Sequence, residues 1–297
     1  MKIIIAAGTG FLGKNLEEYF TGKGEEVYIL TRNPKRNNEI RWDARTLGEW
    51  KNVLENADVL INLTGKSVDC RYTEKNKKEI YSSRIESTKV LQEAVDQCIR
   101  KPKVWLNASS ATIYTHSETH LNTEKNGIIG DDFSMNICNS WEEEFFRVEN
   151  ETTRKTALRT SIVLGSNGGA FTKLKMITKL GLGGKQGRGT QKFSWIHIDD
   201  FCRAVDFIIE NEMISGIVNV TAPNAVPNEE FMRKLRNRMN IPFGLNAQVW
   251  QLEIASIFLQ TETELLLKSR NVYPEKLIQT GFKFNYPDIE TAFQNLV

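Results

Sequence analysis

The sequence predicts a doubly wound α/β fold, in which a parallel sheet carries helices on both faces, followed by a small and mainly helical C-terminal lobe. A β-rich run at residues 2–7, a segment with helical spacing at 11–20 and a second β-rich run at 27–30 make a βαβ unit. Further apolar runs follow, separated by segments with helical character: 58–63, 104–109 and 157–164. Strands that alternate with helices predict a parallel sheet with right-handed crossovers.

The last third of the chain has a different pattern. Residues 198–210 place their apolar side chains on one helical face, and 217–220 have the pattern of another strand. Helical segments then dominate: 231–239, 247–259, 262–268 and 274–280. We therefore expect a dinucleotide-binding domain at 1–222, with a glycine-rich substrate-side loop at 168–192, and a C-terminal substrate lobe at 223–297.

Composition excludes several classes of protein. The 297 residues contain 39 basic and 37 acidic side chains and are 40% hydrophobic, so no global charge recruits nucleic acid or an anionic membrane. No run approaches the ~18 apolar residues of a membrane span, and the apolar run at 3–7 is too short for a signal peptide. The four cysteines form no C-x-x-C pair. We expect a cytoplasmic protein with no nucleic-acid or membrane partner.

A glycine motif follows the first predicted strand directly. Gly8, Gly10 and Gly13 have the G-x-G-x-x-G spacing between a strand and a helix, an arrangement that directs helix N–H groups at a pyrophosphate. A strand-to-helix turn without a ligand is the alternative. The predicted cofactor cradle consists of Gly8, Thr9, Gly10, Phe11, Leu12 and Gly13.

The end of the second predicted strand favours NADP over NAD. An acidic residue there would bind the ribose 2′-hydroxyl of NAD, but the chain continues as Thr31-Arg32-Asn33-Pro34-Lys35-Arg36. Cations suit a 2′-phosphate, so Thr31, Arg32 and Lys35 are predicted cofactor residues. The alternative is a solvated basic loop.

Ordered motifs along the chain resemble one family. With the glycine motif, the segments at 108–114 and 195–200 resemble the extended short-chain dehydrogenase/reductases. The chain is most similar to an atypical branch, the nucleoside-diphosphate-sugar-epimerase-like proteins with a C-terminal domain of unknown function. The motifs that carry this resemblance are DVLINLTGKS (58–67), LRTSIVLGSNGGAF (158–171), FSWIHIDD (193–200), VNVTAPN (218–224) and ELLLKSRNVYPEKLIQTGFKFNYP (264–287).

The resemblance implies further cofactor contacts at the carboxyl ends of the strands. It places Asp43 at the adenine, and it assigns the ribose, pyrophosphate and nicotinamide side to Leu63, Thr64, Gly65, Ser109 and Ser110. Structural alternatives remain open, because Asp43 could cap the following helix, and the other residues could serve as turn residues or satisfy loop backbone groups. The family register also puts its first glycine at Ala7, a change that we expect to be tolerated if the φ of Ala7 stays negative.

The resemblance also exposes a missing catalytic pair. Catalytically competent relatives carry Tyr-x-x-x-Lys on one helical face, where the lysine lowers the tyrosine pKa. Here Ile137 takes the tyrosine position and Trp141 the lysine position. Without that pair, the usual route loses the ~10²–10⁴-fold that a positioned acid–base supplies.

Other side chains remain as candidates for chemistry. Ser110 matches the substrate-orienting hydroxyl of the family, and Tyr114 is a second catalytic candidate whose alternative role is packing. A structural role is favoured for His197. His116 and His120 lack an evident third metal ligand, so we expect no metal site there.

A glycine-rich stretch suggests where an anionic substrate would bind. Residues 181–189 contain five glycines with Lys185 and Arg188, which suit a phosphate, and an exposed mobile loop is the alternative. We expect an NADP-dependent oxidoreductase or epimerase that acts on a small, nucleotide-linked or phosphorylated substrate. A non-catalytic NADP-binding sensor or scaffold is the second hypothesis. The resemblance implies a homodimer, paired through 73–99 and 133–150, as one candidate state.

Overall fold

The computed structural model describes residues 1–149, 152–253 and 267–297. The strands are β1 (Lys2–Ala6), β2 (Glu26–Thr31), β3 (Glu39–Arg41), β4 (Val59–Asn62), β5 (Val104–Ser110), β6 (Arg154–Thr160), β7 (Ile162–Leu164), β8 (Lys192–Phe193), β9 (Trp195–His197), β10 (Gly216–Val220) and β11 (Val226–Pro227). The helices are α1 (Phe11–Gly22), α2 (Glu74–Asp96), α3 (Phe133–Phe146), α4 (Gly169–Lys179), α5 (Ile198–Glu210), α6 (Asn228–Arg238), α7 (Glu275–Gln279) and α8 (Ile289–Leu296).

Seven strands form one parallel sheet in the order β10-β6-β5-β4-β1-β2-β3. The order reverses between β1 and β4, which is where open α/β sheets form a ligand crevice. In the register, Ala6 lies beside Asn62, and Asn62 lies beside Asn107. The loops that leave β1 and β4 therefore meet at one edge of the sheet. The predicted doubly wound parallel sheet is confirmed.

Alternate residues of each strand bury opposite faces of the sheet. Ile3 and Ile5 pack in one apolar cluster with side chains of α1 and α5, whereas Ile4 and Ala6 pack in a second cluster with side chains of α2. Period-two alternation with both faces apolar is the pattern of a sheet covered by helices on each side. This burial explains the continuous apolar run at the start of the chain.

The predicted strand at 157–164 is two strands. β6 ends at Thr160 and pairs with β5 and β10, while β7 begins at Ile162 and pairs with β9. The N–H of Ser161 still donates to the carbonyl oxygen of Val220 at 3.1 Å, so the chain leaves the main sheet directly after this residue. Because both strands are largely buried, the apolar pattern alone could not show the break.

A third apolar cluster lies between α4, α6 and α8. The rings of Phe171 and Phe231 both lie against the ring of Phe293, with centroids 5.6 and 5.1 Å away. Residues 254–259 of the predicted helix at 247–259 and residues 262–266 of the predicted helix at 262–268 fall outside the described residues. None of the helices in the described ranges is both long and apolar enough to cross a membrane.

Candidate functional site

The first turn of α1 is built to receive an anion. Gly10 precedes the helix in an extended conformation, no side chain caps the helix N-terminus, and its first turn holds no acidic residue. The N–H groups of a first turn have no intrahelical acceptor, and the helix dipole places partial positive charge there. A diphosphate is the kind of group that satisfies such N–H donors.

Glycine is required at the three motif positions for different structural reasons. A Cβ on Gly13 would lie 2.3 Å from the carbonyl oxygen of Gly8, and a Cβ on Gly8 would lie 2.7 Å from Cδ1 of Ile29. Around Gly10, by contrast, nothing lies within 4 Å of the position that a Cβ would take. Gly8 and Gly13 allow the helix to pack on the strand, and Gly10 leaves the cradle open on the side from which a ligand would approach. Thr9 is exposed, whereas Leu12 packs against the core.

Ala7 departs from what the sequence led us to expect. Its φ is +57°, in the left-handed region that favours glycine, so the condition under which we expected alanine to be tolerated is not met. The N–H of Ala7 donates to the carbonyl oxygen of Leu30 at 2.8 Å, which holds this backbone geometry at the end of β1. A residue other than glycine in the left-handed region costs about 1–2 kcal/mol, and the contacts of the surrounding structure offset that cost.

Phe11 joins the cradle to a second glycine-rich segment. Its ring lies 2.6–3.0 Å from where a Cβ would stand on three glycines that follow β7, two in the loop and one at the first position of α4: Gly165, Gly168 and Gly169. Side chains at these positions would collide with the ring. The motif GSNGG therefore packs around the first residue of α1, a relationship that local sequence patterns do not reveal.

Two cations stand at the end of β2 without partners. Arg32 and Lys35 are exposed, and neither side chain forms an ion pair or hydrogen bond within the described chain. Arg36, in contrast, pairs with Glu17 at 2.9 Å and with Glu39 at 2.8 Å. Of the three cations in this turn, two are therefore available to a 2′-phosphate. Thr31 is buried beside them, and its carbonyl oxygen accepts from the N–H of Trp42.

Asp43 forms a turn of its own. Its carboxylate accepts from the N–H groups of Arg45 and Thr46, both at 2.9 Å, and from Oγ1 of Thr46 at 2.6 Å. Partial burial opposes the charge, but the bonds from Thr46 and Arg45 outweigh it and hold the pKa of Asp43 below its ordinary value. Its predicted contact with adenine stays a prediction, and both carboxylate oxygens already have donors.

The loop after β4 leaves one buried hydroxyl without a partner. The N–H of Leu63 donates to the carbonyl oxygen of Ala6 at 3.1 Å, and the N–H of Thr64 donates to Oδ1 of Asn62 at 3.0 Å. The side-chain Oγ1 of Thr64 is buried and has no hydrogen-bond partner. An orphaned buried hydroxyl is costly, and a ligand at this edge of the sheet would satisfy it. Gly65 follows and lies against the guanidinium of Arg84.

A network of buried, hydrogen-bonded polar side chains lies at the end of β5. Ser109 donates through Oγ to Oε1 of Glu142 at 2.5 Å, and Glu142 receives two bonds from Arg159, at 2.9 and 2.7 Å. Arg159 also donates to the phenolic oxygen of Tyr114 at 2.9 Å, and that phenol donates to Oδ1 of Asn219 at 2.8 Å. Each side chain of this buried network thus has a protein partner.

The two catalytic candidates therefore lie in different surroundings. Tyr114 is 0% exposed, and burial raises the pKa of its phenol despite the nearby Arg159. Ser110 is only partly buried at the last position of β5; its Oγ donates to Oγ1 of Thr112 at 2.9 Å. Of the two, only Ser110 is partly exposed at the carboxyl edge of the sheet.

The α3 helix packs the positions of the missing pair into the interior. Ile137 and Trp141 are each 5% exposed, and Nε1 of Trp141 donates to Oγ1 of Thr88 on α2 at 2.9 Å. Both positions thus serve contacts between helices, and neither offers a proton donor to a ligand.

His197 is a structural histidine, as the sequence favoured. Its Nδ1 accepts from the N–H of Asp199 at 3.0 Å, its Nε2 lies 3.0 Å from Oδ1 of Asn295, and its ring stacks on Tyr286 at 3.7 Å. Burial lowers the pKa of His197, although Asp199 nearby opposes this. The neutral ring therefore caps α5 and joins it to the C-terminal lobe.

The other two histidines have backbone partners. Nδ1 of His116 accepts from the N–H of Ser269 at 2.8 Å, and Nε2 of His120 lies 3.1 Å from the carbonyl oxygen of Asn126. Over residues 1–149, 152–253 and 267–297, no group of three metal-binding side chains comes together.

The glycine-rich stretch at 181–189 packs against the C-terminal lobe. Its backbone exchanges hydrogen bonds of 2.8–3.1 Å with residues 245 and 247. Three of its glycines have positive φ: Gly181, Gly187 and Gly189. Arg188 is exposed and pairs with Glu118 at 3.0 Å, whereas Lys185 has no ion pair with any described residue. The turns and close backbone approaches of this stretch account for its glycines, and Lys185 remains the available cation.

Glu142 and Arg159 hold this buried network together, and the sequence patterns did not single out either residue. The signal was weak: Arg159 follows Ala157 and Leu158 at the start of the predicted strand at 157–164, and a cation that is buried there requires a carboxylate partner. Arg84 was also missed. Its position on α2 gives no local indication that it reaches Gly65.

Comparisons with known proteins agree with this geometry. Residues 3–221 match the model of the NAD dependent epimerase/dehydratase family, and residues 250–296 match a domain of unknown function, DUF1731. The chain is 34% identical to epimerase family protein YfhF of Bacillus subtilis over 100% of this chain and 98% of the relative, and 30% identical to human epimerase family protein SDR39U1 over the full length of both.

Solved structures show the same fold. A crystal structure of human SDR39U1 with NADPH superposes with a TM-score of 0.91 at 28% identity, covering 100% of this chain and 99% of that one. UDP-N-acetylglucosamine 4-epimerase from Bacillus cereus superposes with a TM-score of 0.78 at 18% identity over 100% of this chain and 95% of that one, which shows the fold alone. The sheet order, the glycine cradle and the full-length match together mean that this chain belongs to the NAD-dependent epimerase/dehydratase family.

Proposed function

We propose that this protein binds NADP(H) in preference to NAD(H) and acts as an oxidoreductase or epimerase on a small, nucleotide-linked or phosphorylated substrate. The observation that carries the cofactor preference is the unpaired state of Arg32 and Lys35, beside an Arg36 that is held by two carboxylates. A doubly charged phosphate gains most from cations that no protein carboxylate already neutralises. The human relative whose structure was solved with NADPH supports this preference.

The cradle residues would hold the dinucleotide along the carboxyl edge of the sheet. The free N–H groups of α1 would receive the diphosphate, Arg32 and Lys35 the 2′-phosphate, and Thr64 would offer its unpaired hydroxyl. A bound nicotinamide supplies hydride transfer to or from a substrate carbon. Ser109 is held by Glu142, so its contribution is to position the end of β5.

Ser110 is the residue that we propose to orient the reacting oxygen of a substrate. It ends β5 beside the opening of the cleft and keeps a partly exposed hydroxyl. Because Ile137 and Trp141 replace the usual tyrosine and lysine, proton transfer must use water or another group. Tyr114 stays a predicted catalytic residue, and its burial does not favour that role.

The C-terminal lobe, residues 223–297, is proposed to form the substrate side of the site. The backbone hydrogen bonds between 181–187 and 245–247 make one continuous wall from the Rossmann domain to the lobe. Lys185 on this wall has no carboxylate partner among the described residues, so it is the proposed contact for a substrate phosphate, with Arg188 available if its pair with Glu118 opens. The solved structures with this fold include MoeE5 in complex with UDP-glucuronic acid and NAD. A cytoplasmic location completes the proposal.

A homodimer through α2 and α3 remains a prediction. The exposed positions of α2 are polar except for Tyr81, and those of α3 include Asn136 and Glu143. A pairing of these faces would therefore depend on polar contacts more than on apolar burial.

A second candidate function has one specific observation in its favour. Ile137 and Trp141 are packed into the protein, and neither side chain is an acid–base group. A protein that binds NADP(H) without turnover, as a sensor or a scaffold, needs no such group.

Titration with the two reduced cofactors tests the preference. We expect NADPH to bind at least about tenfold more tightly than NADH, and the Arg32→Ala, Lys35→Ala double variant to lose that difference. Arg36→Gln is the matched control, because its side chain is already engaged, and it should retain the preference. Equal affinity of the wild-type protein for NADPH and NADH would contradict the proposed preference for NADP(H). Oxidation of NADPH in the presence of nucleotide sugars would favour the enzyme over the sensor.

A further inference from the structure

Arg84 lies directly behind the loop that follows β4. A Cβ on Gly65 would stand 3.0 Å from Cζ of Arg84 and 3.1 Å from its Nη2. The guanidinium is thus in contact with backbone that we place in the cofactor cleft, although Arg84 itself belongs to α2. The side chain keeps part of its surface accessible, although most of the guanidinium is surrounded by protein.

The guanidinium has unused hydrogen-bond donors and no counterion among the described residues. Nη1 donates to the carbonyl oxygens of Lys66, at 3.1 Å, and Ile80, at 2.9 Å. Nε and Nη2 have no acceptor, and no carboxylate pairs with Arg84 anywhere in the part of the chain that the structure describes. Arg159, in comparison, is fully neutralised by Glu142. A desolvated cation without a counterion is costly, so this arrangement favours binding of an anion.

Trp141 lies against this guanidinium. The Cζ of Arg84 lies 5.0 Å from the centroid of the Trp141 ring, a cation–π distance, and Trp141 is itself held by its bond to Thr88. The cation of α2 is therefore positioned by an aromatic ring of α3.

The other groups around Arg84 do not neutralise it. The titratable side chains that face it are Cys70, Tyr72 and Cys138, none of which is a carboxylate. Burial raises the pKa of Cys138 to about 12, so this thiol is neutral at pH 7. Burial also lowers the pKa of Arg84, but a guanidinium stays protonated at any physiological pH. Next to Gly65, the buried hydroxyl of Thr64 is the second unpaired polar group.

We infer that Arg84, stacked on Trp141 behind Gly65, forms a binding site for an oxyanion, either a carboxylate or a phosphate, carried by the substrate. Its Nε and Nη2 would make the paired contact that such groups favour. The dinucleotide is the other source of an oxyanion. Its diphosphate already has a receptor in the N-terminus of α1, however, so Arg84 is left for a second ligand. This assignment rests on the proposed function, which places the loop after β4 in the cofactor cleft.

The test uses inorganic phosphate as the probe and thermal unfolding as the readout, at constant ionic strength, with and without saturating NADPH. The variants are Arg84→Gln and, as a matched control, Lys89→Gln, which removes an exposed cation from the same helix. We expect phosphate to stabilise the wild type and the control while NADPH is bound. In Arg84→Gln, the apparent phosphate affinity should fall at least about tenfold, and the affinity for NADPH should change by less than about threefold.

The other outcomes separate the two sources of the anion. If Arg84→Gln weakens NADPH binding tenfold or more, and phosphate has no effect on the NADPH-bound wild type, the oxyanion belongs to the cofactor and the substrate assignment is overturned. An equal phosphate response of wild type and Arg84→Gln also overturns it. If the wild type binds no NADPH, the proposed function fails, but a phosphate response that depends on Arg84 still supports the anion site. Should Arg84→Gln not fold, Arg84→Lys replaces it, with weakened phosphate binding and unchanged NADPH binding expected.

Discussion

The indole Nε1 of Trp141 donates a hydrogen bond to Oγ1 of Thr88 at 2.9 Å, which ties α3 to α2. Trp141 also lies beside Arg84, with 5.0 Å between the Cζ of Arg84 and the centroid of the indole ring. One side chain of α3 thus stabilises the helix pair and supports Arg84.

Substitution at Trp141 should reduce stability in proportion to what is removed. Trp141→Phe keeps an aromatic face but loses the bond to Thr88, and we expect the free energy of unfolding to fall by about 1–2 kcal/mol. Trp141→Lys buries a cation beside Arg84 and removes a large apolar group, so it should cost about 3–5 kcal/mol. Urea unfolding followed by circular dichroism measures both. A lysine variant as stable as the wild type would contradict this account.

Ala7→Gly should stabilise the protein. The φ of Ala7 is +57°, and glycine removes a steric cost of about 1–2 kcal/mol while adding some flexibility to the unfolded chain. We expect a net gain of about 1 kcal/mol in the free energy of unfolding. The control is Ala6→Gly in β1, where φ is not positive and the same change should be destabilising. Equal effects at the two positions would show that the backbone geometry is not the cause.

Glu142→Gln should be strongly destabilising. It leaves Arg159, which is 5% exposed, without its counterion in the interior, and breaking such a pair costs about 3–5 kcal/mol. Burial lowers the pKa of Arg159, and the bonds and the charge of Glu142 raise it; even without Glu142 a guanidinium stays protonated near neutral pH, so the substitution leaves a charged group in the interior. Urea unfolding measures the change in the free energy of unfolding. Glu143→Gln, on the exposed face of the same helix, is the control. A loss below about 1 kcal/mol would mean that water or another group replaces the carboxylate.

Tyr114→Phe distinguishes a packed tyrosine from a catalytic one. The phenol gives and receives hydrogen bonds with Asn219 and Arg159, so we expect a loss of about 1–2 kcal/mol in stability. Any NADPH-dependent turnover should stay within about twofold of the wild type at a temperature where both proteins are folded. A fall of ~10²–10⁴-fold would instead identify Tyr114 as the acid–base group.

His197 should make the protein sensitive to acid. Burial lowers the pKa of His197 in the folded state, whereas in the unfolded chain it is about 6.5. Below that pH the unfolded state binds more protons, so this contribution to stability is complete above about pH 6.5 and is lost as the pH falls through the folded-state pKa. Between pH 7.5 and 5.0, the wild type should lose more stability than His197→Gln. His120→Gln, which alters a histidine that is only partly buried, should behave as the wild type does.

Local patterns were enough to predict the sheet and the cradle. The alternation of apolar runs with helical segments is visible in any stretch of about twenty residues, and the glycine spacing around Gly10 lies within one βαβ unit. The cations at Arg32 and Lys35 follow the second strand directly. These features depend on neighbours in the chain, so their physical causes can be read without the fold.

Other features depend on residues that are distant in the chain. The positive φ of Ala7 depends on how β1 passes β2 at Leu30, the break after Thr160 depends on the competing strand β9, and the burial of Tyr114 depends on Asn219, which lies 105 residues later. A sequence pattern does not encode which of two neighbouring strands a residue will pair with. Tertiary packing makes that choice, because it weighs the burial of all the elements together.

The sequence by itself determined the parallel α/β sheet, the dinucleotide cradle and the absence of the tyrosine–lysine pair, because each of these is a matter of residue type at short spacing. Only the tertiary structure decided that Gly65, Arg84 and Trp141 meet. They belong to a loop and two helices, and no spacing relates them. Packing of α2 against α3 places a cation without a counterion behind the cleft, and that unbalanced charge is a property of the folded protein alone.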